Sequence, residues 1–257
     1  MNYEYFDKII CINLKERPEK KKIVQYLANK HNIPLDIYEV DKHIEGGMVG
    51  CFDSHLKIIR SCYENNFKNV LIFEDDFSPT SSLNNEILSN IILFLKNNPN
   101  CEYFQLGYTI IPNEIITFFT CENIAPYILK YNGNLTHAYI LNRRGMKRIL
   151  DTYSGYFKKK DLDFYYKEIF KNNGACVYPL LFDQNFCLGS DNLKSTSSYY
   201  SFLRYYSCTF YQYSIVYSFS LFRFYFYYFV LLLFLLFFII YFFILKKNSR
   251  YIIYHRK

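Results

Sequence analysis

Val70-Leu71-Ile72-Phe73-Glu74-Asp75-Asp76 sets four apolar residues directly before three carboxylates. The apolar run reads as a buried strand, and in an open α/β sheet ligands bind beyond the carboxyl ends of the strands. Adjacent carboxylates at such an end repel one another unless a cation lies among them. Hard divalent ions such as Mn²⁺ or Mg²⁺ take oxygen ligands, and an ion held this way can grip a diphosphate. The competing reading is a solvated loop or the cap of the next helix.

Outward from that strand, apolar runs alternate with helical patterns over residues 1–190, which predicts an α/β fold built from βαβ units. Residues 6–14 read as a first strand. They lack the basic region and cleavage site of a secretory signal. A helix follows over 18–29, with Pro18 in its first turn, and residues 35–40 make a second strand. Asp53 or Ser54 is expected to cap a helix carrying Leu56, Ile59 and Cys62 on one face. After the acidic-tipped strand, Ser81 and Ser82 precede a helix with Ile87, Ile91 and Leu95. Strands are expected at 101–106 and 138–141, and helices at 143–152 and 161–171.

The net charge is +7, but Lys246, Lys247, Arg250, Arg256 and Lys257 supply five of those charges within the last twelve residues. A nucleic-acid-binding domain carries its basic stripe on the fold itself, so nucleic acid is not an expected partner. The eight cysteines form no Cys-x-x-Cys pair, which argues against a zinc knuckle and against a dense disulfide framework and suits a reducing compartment. The Asn-x-Thr sequence at Asn134 lies in what reads as core.

Four further patches carry chemistry. Asn13 and Arg17 stand at the tip of the first strand, where Asn13 can bond a base or ribose and Arg17 a phosphate; a polar strand-to-helix loop is the plainer reading. Gly46-Gly47-Met48-Val49-Gly50-Cys51-Phe52-Asp53-Ser54-His55 is a glycine-rich loop entering a helix, without P-loop or dinucleotide-fingerprint spacing. His55 there is either a ligand or a satisfied core histidine. His137, before the strand at 138–141, offers a nitrogen ligand to a metal or a phosphate donor. Asp161 and Asp163 open a late helix, Asp161 suiting a cap and Asp163 a general base.

Together these patches resemble glycosyltransferase family 25. Ile12-Asn13-Leu14 with Arg17 is similar to the family's Ile-Asn-Leu-x-x-Arg opening. Gly50-Cys51 with Ser54-His55 is similar to its Gly-Cys-x-x-Ser-His segment, and Leu71 to Asp76 to its Leu-Ile-x-Glu-Asp-Asp metal motif. His137-Ala138-Tyr139 with Arg144-Gly145, Leu162-Asp163, and Gln184 with Ser190-Asp191 follow in the family's order. The chain departs from the pattern at Met48, where the family has glutamate, and no proline precedes Leu162.

The resemblance implies a GT-A-like (Rossmann-like) domain over residues 1–195. It implies a metal-dependent, inverting transfer of a hexose, galactose or glucose, from a UDP-sugar to a hydroxyl of a glycan, a lipid-linked or a protein acceptor. Glu74, Asp75, Asp76 and His137 are the implied metal ligands, for Mn²⁺ or Mg²⁺. Asn13, Arg17, Gly50, Ser54, His55 and Gln184 bind the donor. Asp163 is the base, with Asp191 in reserve. An inactive, membrane-anchored scaffold is the rival reading. A phosphoryl-transfer or receiver-type domain would place carboxylates on the first strand, which here ends in Asn13-Leu14.

Beyond the domain, residues 196–223 read as an aromatic-rich linker or membrane-proximal segment. Residues 224–245 hold no charge over 22 positions, roughly 33 Å of helix against a hydrocarbon core of about 30 Å. They predict a single transmembrane anchor followed by a basic tail at 246–257, with the catalytic domain on the cytosolic side. The tail's positive charge also favours the cytosol, so the orientation of one simple span stays open.

Overall fold

A computed structural model describes residues 1–110, 114–185, 229, 232–238 and 241 of the chain. The chain divides into two compact units, Met1–Gln212 and Tyr213–Lys257. In the first, an eight-stranded mixed sheet has helices on both faces. Strand β1 (Lys8–Leu14), helix α1 (Pro18–Lys30), β2 (Asp36–Val40), α2 (Gly47–Glu64) and β3 (Asn69–Glu74) form two successive parallel crossovers. Then come β4 (Phe77–Pro79), α3 (Asn85–Asn97), β5 (Tyr103–Gln105), α4 (Ile115–Thr120), β6 (Asn123–Ala125), β7 (Ile128–Leu129), β8 (Ala138–Asn142), α5 (Arg143–Thr152), α6 (Leu162–Ile169), β9 (Gly174–Val177) and β10 (Phe182–Gln184). The sheet order is β2-β1-β3-β8-β5-β9-β7-β6, with β10 and β4 paired separately.

The strands that read as continuous apolar runs do so because both their faces are covered. Ile9, Cys11, Leu71 and Phe73 point into a core closed by Val24 and Ala28 of α1 and by Ile87, Leu88, Ile91 and Leu95 of α3. Ile10, Ile12, Val70 and Ile72 point the other way, onto Phe52, Leu56 and Ile59 of α2, Met146 and Ile149 of α5, and Tyr165 and Tyr166 of α6.

Strand β8 runs antiparallel to both β3 and β5, with Phe73 opposite Ala138 and Gln105 opposite Tyr139. The expectation of simple βαβ alternation fails here. The reversed strand brings its beginning, rather than its end, to the carboxyl edge of β1 and β3. Other differences are local. Helix α2 starts at Gly47 after Gly46, whose φ of 99° suits only glycine, so Asp53 and Ser54 lie inside the helix and cap nothing. Asn84 caps α3 by accepting from the Ile87 N–H, just after Ser81 and Ser82. Asp161 sits at the N-cap of α6 without a side-chain capping bond. The short strands β4, β6, β7, β9 and β10 carried no legible period in the sequence.

In the second unit, Phe229, residues 232–238 and Tyr241 are helical with exposed side chains. The rest of the expected span at 224–245 lies outside the described residues. Among the described residues no helix is long and apolar enough to cross a membrane.

Gly145, in the first turn of α5, is required by close approach: a Cβ there would meet the Glu102 carbonyl oxygen at 2.3 Å. Asn142 fixes the same junction, accepting from the Gly145 N–H and donating to the Pro99 and Cys101 carbonyls. Gly145→Ala, neutral or stabilising in an open helix, is expected to cost about 1–3 kcal/mol as an overpacking change, measured by urea unfolding.

Candidate functional site

Residue Ile12 pairs with Glu74 across β1 and β3, so the tips of the two strands end side by side. They open on a cavity of about 110 Å³ bounded by Ile12, Leu14, Lys20, Cys51, His55 and the acidic triplet, with Gly50 and Ser54 on its α2 wall.

Each carboxylate of the triplet has a different neighbour. Asp75 pairs at 2.8 Å with the Lys20 ammonium, which is 3% exposed. Burial pushes the Asp75 carboxyl up, and Lys20 offsets only part of that. Glu74 accepts from the Thr136 hydroxyl at 2.6 Å and faces His55 Nε2 at 3.5 Å. Burial pushes Glu74 up, but His55, Thr136 and the nearby His137 outweigh it and hold the carboxyl below its ordinary range. Asp76 is buried, and Gln184 Nε2 donates to its Oδ2 at 3.0 Å. Its Oδ1 has no hydrogen-bond partner among the described residues. Burial, with the Glu74 charge adding, raises Asp76 to about 7.

The histidines are set by their second nitrogens. His55 Nδ1 lies 2.6 Å from the Tyr139 hydroxyl, which fixes the ring. His137 hands its backbone carbonyl to the Glu74 N–H, and its Nε2 lies 3.3 Å from the Phe182 carbonyl. Burial lowers the His137 imidazole, and its Nδ1 lacks a partner among the described residues.

Of the residues expected from sequence, Gly50, Ser54, His55, Glu74, Asp75 and Asp76 line one cavity. Gln184 and His137 join it through Asp76 and Glu74. Ser54 spends its hydroxyl on the Gly50 carbonyl within α2, and Gly50 lets the His43 side chain approach, since a Cβ would lie 2.9 Å from that of His43. Asn13 is buried between two cavity-lining residues, and the pleat turns it to the opposite face. Arg17 stands at the N-cap of α1, 3.7 Å from Glu19. Asp163, in the first turn of α6, accepts from the Leu135 and Phe164 N–H groups. Burial raises its carboxyl, with the Glu74 charge adding a little. Asp191 lies outside the described residues.

Sequence reasoning missed Lys20, Cys51 and Thr136. Cys51 and His55 are four apart, hence on one face of α2, a signal that was legible. Lys20 falls in the helix expected over 18–29 with nothing in the sequence to mark it, and its partner Asp75 explains its burial. The donor set fits a divalent cation: Glu74 and the unpartnered Asp76 Oδ1 offer oxygens, and Asp76 gains an ionised form once a positive charge faces it.

Asp76 stays protonated in the folded, metal-free chain at pH values where an unfolded aspartate is ionised. Unfolding therefore releases a proton between about pH 4 and 7, and stability falls as pH rises through that window. Thermal midpoints measured in chelator across this range should show Asp76→Asn losing less stability than the parent as pH rises, the two converging at the acid end.

Residues 38–164, from β2 into α6, match the family model described as Glycosyltransferase family 25 (LPS biosynthesis protein). No curated protein matches the sequence. Solved structures with partial overlap include A197 from STIV (10% identity, 68% of this chain and 83% of that one, TM-score 0.39). Another is the galactosyltransferase LgtC in complex with donor and acceptor sugar analogs (9%, 76% and 81%, TM-score 0.38). A third is a glycosyltransferase involved in the glycosylation of the major capsid of PBCV-1 (11%, 67% and 94%, TM-score 0.33). The matched stretch contains Gly50, Ser54, His55, the acidic triplet, His137 and Asp163, so these residues lie in the part of the chain that is similar to glycosyltransferase family 25.

Proposed function

We propose that the chain moves a hexose, galactose or glucose, from a UDP-sugar to a hydroxyl of a glycan, a lipid-linked or a protein acceptor, with inversion at the anomeric carbon. The observation that carries this reading is the set of buried and half-buried carboxylates at the end of β3, which lies in the segment that matches family 25 and opens on a cavity. Glu74 and Asp76 would hold Mn²⁺ or Mg²⁺, and the ion when bound supplies positive charge to the diphosphate of the departing UDP. Lys20 holds Asp75 and trims the negative charge that the diphosphate must approach. Arg17 and the first turn of α1 meet phosphate, as a helix N-terminus favours. Gln184 orients Asp76, and His137 braces the backbone of Glu74.

Asp163 serves as the base. Its raised affinity for a proton suits it to take the acceptor's hydroxyl proton while that oxygen bonds to the anomeric carbon and the bond to the UDP oxygen breaks. Asp191 is the reserve for this role.

UDP release from a panel of nucleotide sugars tests the reading. Asp76→Ala should abolish divalent-dependent release, and full activity in that variant overturns the metal assignment. Asp163→Asn should lower kcat about 10²–10⁴-fold with little change in donor affinity. An inactive scaffold would bind neither UDP nor Mn²⁺ in calorimetry.

We further propose that residues 224–245 anchor the chain in a membrane as a single helix, with the catalytic unit in the cytosol. The exposed apolar side chains at 232–238 support this reading. Arginines in place of Leu235 and Leu236, each costing about 2.5–3.5 kcal/mol at a bilayer centre, should shift the full chain from the membrane pellet to the supernatant on fractionation.

A further inference from the structure

We propose that Cys51, His55 and Glu74 form a site for a thiophilic divalent cation of the Zn²⁺ type. Residues Cys51 and His55 project from one face of α2 toward the end of β3, and one ligand atom from each of the three lies within 4.8 Å of the others. Tetrahedral zinc bonds of about 2.0–2.3 Å place ligand atoms roughly 3.3–3.8 Å apart. The set therefore closes on an ion by contracting about an ångström, and the His55–Glu74 pair already stands at 3.5 Å.

Two further observations point to a ligand. His55 is 1% exposed, and its Nε2, aimed at Glu74, has no hydrogen-bond partner among the described residues, while Nδ1 is committed to the Tyr139 hydroxyl. A metal-binding imidazole typically has this arrangement, one nitrogen fixed to an oxygen and the other left for the ion. Thr136 orients Glu74 in the same way. Of the neighbouring carboxylates, Asp75 is engaged by Lys20, and Asp76 is held through Oδ2 by Gln184. A thiolate, an imidazole and one carboxylate favour Zn²⁺ or Co²⁺ over Mg²⁺. The adjoining cavity leaves a fourth position open to water or to a phosphate oxygen.

The inference deepens the transfer reading at the same site and rests on it only for the use made of the ion. Its test needs no sugar donor. The full chain, reduced and stripped with chelator, is titrated with Co²⁺. One equivalent should bind with a thiolate-to-cobalt charge-transfer band and visible bands of four-coordinate intensity, and Zn²⁺ should displace it. Cys51→Ser should lose the charge-transfer band, and Glu74→Gln should weaken binding about 10–100-fold. Cys101→Ser, away from the site, should keep the band.

A second measurement avoids variants altogether. Alkylation of Cys51, mapped by peptide mass, should slow at least tenfold with Zn²⁺ and not with Mg²⁺. Absence of the band in the parent, its survival in Cys51→Ser, or equal alkylation rates with and without Zn²⁺ would each overturn the proposal. Turnover of a UDP-sugar without a cobalt–thiolate band sinks this site and leaves the transfer reading standing. The band with no turnover of any nucleotide sugar does the reverse.

Discussion

Three consecutive carboxylates, one buried and two half-buried at the end of one strand, set the terms for everything around them. Desolvating a charge costs several kcal/mol unless a partner or a proton relieves it. The fold applies both remedies. Lys20, carried on the first turn of α1 and buried there, pairs with Asp75. Asp76 retains its proton to near neutrality. Glu74 remains the ionised member, held by Thr136 and facing His55. The triplet is therefore an unequal set: one carboxylate is spent, one is poised, and one is charged. That inequality leaves the tip with one ionised carboxylate and one that a nearby positive charge would ionise.

The second constraint is strand polarity. Had β8 run parallel to β3, its amino end would lie at the far edge of the sheet, and Thr136 and His137 would be remote from Glu74. Running antiparallel, β8 delivers both to the carboxyl tips of β1 and β3. The same reversal places the end of β5 at that edge, because β5 is antiparallel to β8. Polar groups from elements distant in sequence thus converge on one rim, as expected where an α/β sheet changes its connection pattern. Helix α2 closes the rim from one side. Its early start at Gly47 turns Cys51 and His55 inward on successive turns, so the glycine-rich stretch serves mainly as helix rather than as a ligand loop.

Much of the parallel half was legible in the sequence because burial on both faces leaves an unbroken apolar run. Strands β1 and β3 and helices α1 and α5 stand close to their expected limits. The short strands β4, β6, β7, β9 and β10 have two to four residues each. A period of two cannot show itself over so few positions. The cap of α2 was misplaced at Asp53 or Ser54, since the helix starts after Gly46 with its positive φ. Side-chain chemistry alone does not reveal which of several candidates has the required backbone angles.

The sequence by itself determined that a buried strand ends in carboxylates, that strands alternate with helices, and that a long uncharged aromatic stretch follows. Each of these is written in local periodicity and charge. Only the tertiary structure decided that Asp75 belongs to Lys20, that Asp76 faces Gln184, and that His55 looks at Glu74 across from Cys51. Those pairings join residues up to 108 positions apart. They depend on the order and direction of strands in the sheet, which no window along the chain encodes.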